Sequence, residues 1–459
     1  MNNKKIKKIH FVGIGGIGMS SLAQFLLNKN YQISGSDVSK NSFTKKLKKE
    51  GCKIFEEHNE NNITNQDLII YSSAIDKKNP EILEGKRNKI KIMSRGEALG
   101  FFTKKNKNIS ISGCHGKSTT TSMTHFFLNK AGFDSTLFLG AVDSRLKSNV
   151  YLGNSKFCVI EADESDNSLN HLNSFISIVT NIDYDHLDYY KTKKNLIATF
   201  KKFIITTRGK CIINNDCKIT SKLVRNINSK KIIKFGQFNI ESNDYSFKIL
   251  ESLNGSKFEI SKGQHFLASF ASKLIGEYNI YNSVCSIITA LEVGIEIEEI
   301  KKSFKTYKAP LRRFETIFRS NSLTIVDDYA HHPNAIRAIR KSLEVSPQYK
   351  NIFLVFQPHR FSRTKILFKD FVKELSLWEN IYLVDIYSAF EKTSIILDSM
   401  LLYKEIKKIN NKIKYFSNDE LLIEKIVSES TKKDSLIITM GAGNIRNVGS
   451  TIKKRIANS

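Results

Sequence analysis

The chain has 459 residues, which allows two to four domains at roughly 100–200 residues each. Hydrophobic residues make up 41% and charged residues 25%, which excludes wholesale disorder, and no apolar run reaches the roughly 18 residues of a membrane-spanning helix. The 72 basic and 45 acidic residues leave a net charge of +27, but 58 of the basic residues are lysines, spread evenly among many Asn and Ile; this is compositional drift on a solvated surface rather than a nucleic-acid stripe.

Lys4, Lys5, Lys7 and Lys8 precede an apolar stretch at 9–19 that imitates a targeting signal. It is rich in glycine and lacks a small-x-small cleavage site, so it reads as part of the fold. Apolar runs at 9–13, 32–35, 52–55 and 68–72 predict strands, with amphipathic helices at 16–28 and 42–49 between them. Such alternation implies βαβ units and a parallel sheet. Gly13-Ile14-Gly15-Gly16-Ile17-Gly18 fits GxGxxG after the first strand, and Asp37 closes the second. Taken alone the spacing suggests a dinucleotide such as NAD, with its ribose on Asp37. The physical content is narrower: a diphosphate near Gly15, Gly16, Ile17 and Gly18, which any nucleoside diphosphate derivative satisfies. Glycines placed only for tight strand–helix packing would leave the same trace. Ser72 and Ser73, at the end of the fourth strand, join the expected substrate set.

A polar stretch at 103–108 separates this unit from a new strand at 108–112. Ser112-Gly113-Cys114-His115-Gly116-Lys117-Ser118-Thr119-Thr120 follows it directly and leads into a helical segment. Backbone N–H groups of such a loop cradle phosphate oxygens. Lys117 would reach the terminal phosphates, and the Ser118 hydroxyl would ligate Mg²⁺. The general P-loop pattern wants a glycine where Ile111 stands. After a strand at 157–160 comes Glu161-Ala162-Asp163-Glu164-Ser165-Asp166, and after one at 176–180 comes Asn181-Ile182-Asp183-Tyr184-Asp185-His186-Leu187-Asp188. Carboxylates and a histidine at strand ends beside a phosphate loop suit a divalent metal bridging phosphates. A further strand is expected at 209–214 and a helix at 281–293. Six cysteines (Cys52, Cys114, Cys158, Cys211, Cys217, Cys285) lie far apart with no CxxC spacing, as reduced thiols of a cytosolic protein would.

Pro310 interrupts the chain, and a new αβ alternation follows with strands at 323–327, 351–356, 381–384 and 435–439. Asp327-Asp328-Tyr329-Ala330-His331-His332-Pro333 closes the first of these strands. Phe356-Gln357-Pro358-His359-Arg360-Phe361-Ser362-Arg363-Thr364 closes the second. Carboxyl ends of strands are where open α/β sheets bind ligands, and Arg360 with Arg363 can grip a carboxylate or phosphate. Three α/β domains in series are expected, at 1–107, 108–309 and 310–459.

These strings, in this order and over essentially the whole length, resemble the Mur ligases, and within them the members that add L-alanine. HFVGIGGIGMS resembles the family's uridine-nucleotide entry, GCHGKSTT its phosphate loop, and EADESD with NIDYDHLD its magnesium region. DDYAHHP, FQPHRFSRT and the glycine loop Gly441-Ala442-Gly443-Asn444-Ile445 resemble its C-terminal signatures. The resemblance implies a Rossmann-like first domain for the UDP-sugar, a central P-loop ATPase domain, and a Rossmann-like C-terminal domain completing the ATP and amino-acid site. It implies ATP-dependent ligation of L-alanine to the carboxylate of UDP-N-acetylmuramate through an acyl phosphate, the first peptide-adding step of peptidoglycan precursor synthesis, and hence a part in cell shape and division. ATP and Mg²⁺ would be required, in a cytoplasmic monomer or weak homodimer.

Residue by residue, the resemblance puts Gly113, Cys114, His115, Gly116, Lys117, Ser118 and Thr119 on the nucleotide, together with Asn279 and Asn282. Ser118, Glu161 and His186 would hold metal, and Arg313 and Asp328 would complete the ATP site. Tyr329, His331, Arg360 and Arg363 would face the amino acid and the muramate carboxylate. Lys117, Glu161, His186, Arg313, Asp328, His331 and Arg360 form the expected catalytic set. The chain departs from the family pattern at Cys114, where a threonine is usual, and at Ser118, which keeps the metal-ligating hydroxyl. It departs again at Tyr278, for a histidine, and at Ala309, for a glycine before Arg312 and Arg313, which would stiffen the hinge.

The nearest rival is a murein-peptide recycling ligase acting on the same muramate carboxylate; Ser165, Tyr329 and FQPHRFSRT favour the alanine adder. An NAD-dependent oxidoreductase leaves the phosphate loop and the histidine and arginine strings unexplained. A nucleic-acid-binding protein lacks any basic motif interleaved with aromatics.

Overall fold

The computed structural model describes residues 6–458, apart from 185–186, 226, 228–229, 239, 253–254, 345–348, 390, 392–397 and 430–433. Three sheets are present, and their central strands are buried on both faces, as parallel strands covered by helices require. The first has β1 (Lys8–Val12), β2 (Gln32–Ser36), β3 (Lys53–Phe55), β4 (Leu68–Tyr71) and β5 (Lys91–Ser94), all parallel in the order β3-β2-β1-β4-β5. The order reverses at β1, whose carboxyl end carries the glycine loop.

The second sheet has ten strands: β6 (Lys107–Ser112), β7 (Thr136–Asp143), β8 (Ser148–Tyr151), β9 (Phe157–Glu161), β10 (Ser174–Val179), β11 (Cys211–Asn214), β12 (Ile232–Gly236), β13 (Tyr245–Glu251), β14 (Ser256–Lys262) and β15 (His265–Ser272). Their order is β15-β14-β13-β12-β11-β10-β6-β9-β7-β8. β6 therefore lies between β10 and β9, parallel to both, so the segments following all three strands emerge side by side. The third sheet has β16 (Glu315–Arg319), β17 (Leu323–Asp328), β18 (Asn351–Phe356), β19 (Asn380–Val384), β20 (Lys414–Phe416) and β21 (Ser435–Met440) in the order β16-β17-β21-β18-β19-β20. Only β16 is antiparallel to its neighbour.

The chain divides into two compact units. The first runs to Pro310, without the short segments Glu251–Ser256 and Lys273–Tyr278, and carries the first two sheets. The second holds those segments and Leu311 onward, with the third sheet. The sequence predicts three α/β units, and three sheets are present. The first two share one unit because the helix Arg95–Thr103 turns a glycine face to the turn Ser168–His171. A Cβ on Gly96 would stand 2.7 Å from Ser168 Oγ, and one on Gly100 would overlap the His171 carbonyl. Phe25 meets Phe138 edge-on at 5.2 Å between ring centroids, and Asn149 Nδ2 donates to the Ile17 carbonyl at 2.5 Å. Side chains of both sheets thus fill one apolar core.

The helix expected at 281–293 begins earlier, at Glu277, and so includes Asn279. None of the described helices is long and apolar enough to cross a membrane. The six cysteines are free thiols, four of them buried.

Candidate active site

The phosphate loop occupies the turn between β6 and the helix Lys117–Lys130, whose N-cap is Gly116 in the left-handed region at φ +84°. Gly113, at φ +132°, is needed for space as well: a Cβ there would overlap Thr180 Oγ1 and stand 2.8 Å from the Asn181 carbonyl. The residues after β10 staple the loop. Asn181 Oδ1 accepts from the His115 N–H at 2.9 Å, while Asn181 Nδ2 and Thr180 Oγ1 both donate to the His115 carbonyl, at 2.9 and 2.6 Å. The Cys114 thiol donates to the Asp183 carbonyl at 3.2 Å and accepts from the Asp183 N–H at 3.1 Å. A threonine hydroxyl could make the same pair, which accounts for cysteine being tolerated here. Asp183 Oδ2 lies 3.2 Å from His115 Nε2. Asn282 is buried against the loop, since a Cβ on Gly116 would overlap its Oδ1. Asn279, one turn earlier on the same helix, is buried with it. Thr119, also buried, accepts at its carbonyl from the Tyr307 hydroxyl at 3.2 Å.

Lys117 donates to the Gly113 carbonyl at 2.8 Å and to Glu164 Oε1 at 2.9 Å. Burial alone would lower its pKa, but Glu164, Asp163 and Glu161 outweigh burial and raise it, so the ammonium is held charged. The Ser118 hydroxyl donates to Glu161 Oε1 at 3.0 Å, and Glu161 Oε2 accepts from the Gly140 N–H at 2.8 Å. A hydroxyl and a carboxylate side by side next to a phosphate loop are hard oxygen donors of the kind Mg²⁺ takes. His186, the third expected ligand, lies outside the described residues. Glu164 and Asn181 were within reach of sequence reasoning, inside the acidic string and the NIDYDHLD string, as was Thr180 directly before the latter, yet nothing local marks Glu164 as the lysine's partner.

In the first sheet, Gly13 (φ +81°) turns the chain out of β1, and Gly16 caps the helix Ile17–Asn28 without a side-chain hydrogen bond. Gly15 donates its N–H to Asp37 Oδ2 at 2.8 Å, and Asp37 Oδ1 accepts from the Ser39 N–H at 2.8 Å. Asp37, expected on a ribose, thus shapes the glycine loop with one oxygen and its own turn with the other. Gly18 lies against the Arg95 side chain. Ser72 borders the loop, with its Cβ 3.2 Å from where a Cβ on Gly13 would be, and Ser73 is exposed beside it.

In the second unit Asp328 is buried and accepts from the Phe314 N–H and the Ala330 N–H, both at 2.7 Å. Burial pushes its carboxyl up to about 6, against the pull of Arg313 and the two N–H groups. The Arg312 and Arg313 guanidiniums lie 5.1 and 5.3 Å from the centre of the Tyr329 ring. Arg312 also donates to Asp327 at 2.9 Å and to the Gly441 carbonyl at 2.6 Å, so it ties the last glycine loop to β17. His331 meets Tyr329 edge-on at 5.4 Å and lies 5.8 Å from His359, which stacks on Tyr387. Arg363 pairs with His359 at 3.2 Å. Burial, with Arg363, Arg360 and Arg312 close by, lowers His359 to about 3 and keeps it neutral. Arg360 adopts φ +69° and approaches Glu391 at 4.0 Å. Tyr329, His331, Arg360 and Arg363 therefore belong to one cluster around the ends of β17 and β18. Gln357, missed from sequence, holds the last glycine loop through Asn444 at 2.8 Å and the Ile445 N–H at 3.2 Å.

Family models match along the chain: "Mur ligase family, catalytic domain" over residues 8–107, "Mur ligase middle domain" over 111–290, and "Mur ligase, glutamate ligase domain" over 312–443. A UDP-N-acetylmuramate–L-alanine ligase of Hydrogenobaculum sp. (strain Y04AAS1) is 37% identical, with 97% of this chain and 98% of that protein covered. One of Rickettsia bellii (strain OSU 85-389) is 35% identical, covering 99% and 98%. Among solved structures, the UDP-N-acetylmuramate-alanine ligase of Thermotoga maritima superposes with a TM-score of 0.82 at 25% identity, over 98% of this chain and 99% of that one. A murein peptide ligase of Psychrobacter arcticus shares the fold, with a TM-score of 0.70 at 20% identity over 99% of each chain. With its three domain models in order and relatives matched end to end around a stapled phosphate loop, this chain belongs to the Mur ligase family.

Proposed function

We propose that the protein joins L-alanine to the carboxylate of UDP-N-acetylmuramate at the expense of ATP, in peptidoglycan precursor synthesis in the cytoplasm. The observation that carries this reading is the phosphate loop, with Lys117 on Glu164 and Ser118 on Glu161 at neighbouring strand ends. The full-length relatives named for this reaction support it.

The muramate carboxylate oxygen forms a bond to the γ-phosphorus as the bond to ADP breaks, and the alanine amine then forms the C–N bond while phosphate leaves and the amine's extra proton passes to solvent. Phosphoryl transfer of this kind depends on positioning and on charges aimed at the moving oxygens. Lys117, fixed by Gly113 and Glu164, meets the terminal phosphates, and the N–H groups at the helix start, 116–118, lie on the phosphate path. Ser118 and Glu161, with His186 by the motif match, would hold Mg²⁺, which offsets charge on the phosphates when bound. Asn279 and Asn282 are assigned to the nucleotide, as are Arg313 and Asp328. Gly15, Gly16, Ile17, Gly18, Asp37, Ser72 and Ser73 are assigned to the UDP-sugar. Tyr329, His331, Arg360 and Arg363, a cationic and aromatic cluster, are assigned to the amino acid and the muramate carboxylate. Domain limits at 1–107, 108–309 and 310–459 are proposed with these roles.

The test is phosphate release with ATP, Mg²⁺ and UDP-N-acetylmuramate, comparing free L-alanine with L-Ala-γ-D-Glu-diaminopimelate. Release with alanine alone is expected. Release only with the tripeptide would replace this reading with the recycling ligase.

A further inference from the structure

Arg95 opens the helix that joins the first two sheets, and no motif singles it out. Its side chain is 16% exposed and wedged between two functional loops. On one side Nη2 donates to Asp166 Oδ2 at 2.6 Å and to Ser168 Oγ at 2.9 Å, at the end of the acidic string that also holds Lys117 through Glu164. On the other side it lies against the glycine loop: a Cβ on Gly18 would stand 3.0 Å from Nη1, 3.1 Å from Cδ and 3.2 Å from Cζ. Among the described residues its hydrogen bonds use Nη2 alone, which leaves the Nη1 edge beside the uncapped start of the helix Ile17–Asn28. The close packing of Gly96 and Gly100 on Ser168 and His171 fixes the base of the side chain. An arginine held by one arm, with its second arm at a glycine-lined helix start, has the fork geometry that reads phosphate oxygens.

We infer that Arg95 is a substrate-contacting residue: its Nη1 arm grips the diphosphate of the nucleotide sugar while its Nη2 arm stays on Asp166, so that the sugar's carboxylate is aimed from a fixed anchor toward the phosphate loop. This rests on the nucleotide-sugar reading above and adds to it the residue that links the two loops. Glycine at 18 lets the guanidinium lie close, since a Cβ there would make it give by a few tenths of an ångström.

The test is calorimetric titration of the full-length protein with UDP and, separately, with uridine, for wild type, Arg95→Gln and Arg95→Lys, with thermal midpoints measured on the same preparations. Loss of a charge-assisted pair predicts a roughly ten- to hundred-fold weaker Kd for UDP in Arg95→Gln, with uridine binding and ATP binding unchanged. Arg95→Lys keeps a cation for Asp166 and folds if Arg95→Gln does not; lacking the second arm, it too should lose UDP affinity selectively. A folded variant with wild-type UDP affinity overturns the proposal. So does equal weakening of UDP and uridine, the result for a strut that only holds the two sheets together. Failure of the wild type to bind UDP would instead remove the nucleotide-sugar reading on which the proposal stands.

Discussion

Lys117→Ala removes the ammonium from the phosphate loop, and its structural cost must be separated from its chemical one. Glu164 is 1% exposed, and its carboxylate faces Lys117 at 2.8 Å. Truncating the lysine leaves that carboxylate buried without its cation, which costs about 3–5 kcal/mol of stability. The chemical loss is of another kind: removing one preorganised group aimed at developing charge lowers kcat by about 10²–10³. Phosphate release, thermal midpoint and calorimetric binding of UDP-N-acetylmuramate should be measured on wild type, Lys117→Ala and the double variant Lys117→Ala with Glu164→Gln. The single variant should melt earlier and lose turnover by at least that factor, yet bind the nucleotide sugar as before, because the glycine loop belongs to another sheet. The double variant should regain the midpoint, since a neutral amide replaces the stranded charge, and should stay inactive. Recovery of turnover in the double variant would refute the phosphate role and leave Lys117 as a buried counter-ion for Glu164.

Gly113→Ala should raise the KM for ATP and lower the thermal midpoint by the equivalent of about 1–3 kcal/mol, since a left-handed residue acquires a Cβ directed at Thr180 and the Asn181 backbone; an unchanged KM and midpoint would show that the loop adapts. Asp328 supplies a pH signature. Its folded value of about 6 lies above the ordinary 3.8, so the native state holds its proton more tightly, and this stabilisation is present below pH 4 and lost as pH rises through 6. The loss over that window is about 3 kcal/mol. The stability difference between wild type and Asp328→Asn, from denaturant unfolding at pH 4 and pH 7, should shrink against the wild type by about that amount, and a difference that stays flat would remove the buried-carboxyl account.

The chemistry that lies within a few residues of chain was legible without the fold. A strand followed by Gly113-Cys114-His115-Gly116-Lys117-Ser118 specifies a phosphate loop because the turn, the N–H groups and the lysine are all contiguous, and the GxGxxG loop after β1 is local in the same way. Apolar runs marked four strands in each sheet, mostly the central ones, because their burial is written in their own residues, but they missed more exposed strands such as β5, β13, β14, β15, β16 and β20. What required the tertiary structure joins distant segments. Lys117 meets Glu164 across 47 positions, His115 meets Asn181 across 66, and Arg95 meets Asp166 across 71. No periodicity encodes such pairs; they exist because β6 inserts between β9 and β10, and because Gly96 and Gly100 let a helix of the first sheet press onto the second. Asp37 shows the limit from the other side. Its spacing after the glycine loop points to a nucleotide, and only the fold adds that its Oδ2 also accepts from the Gly15 N–H at 2.8 Å, a pairing across 22 positions that no spacing rule encodes.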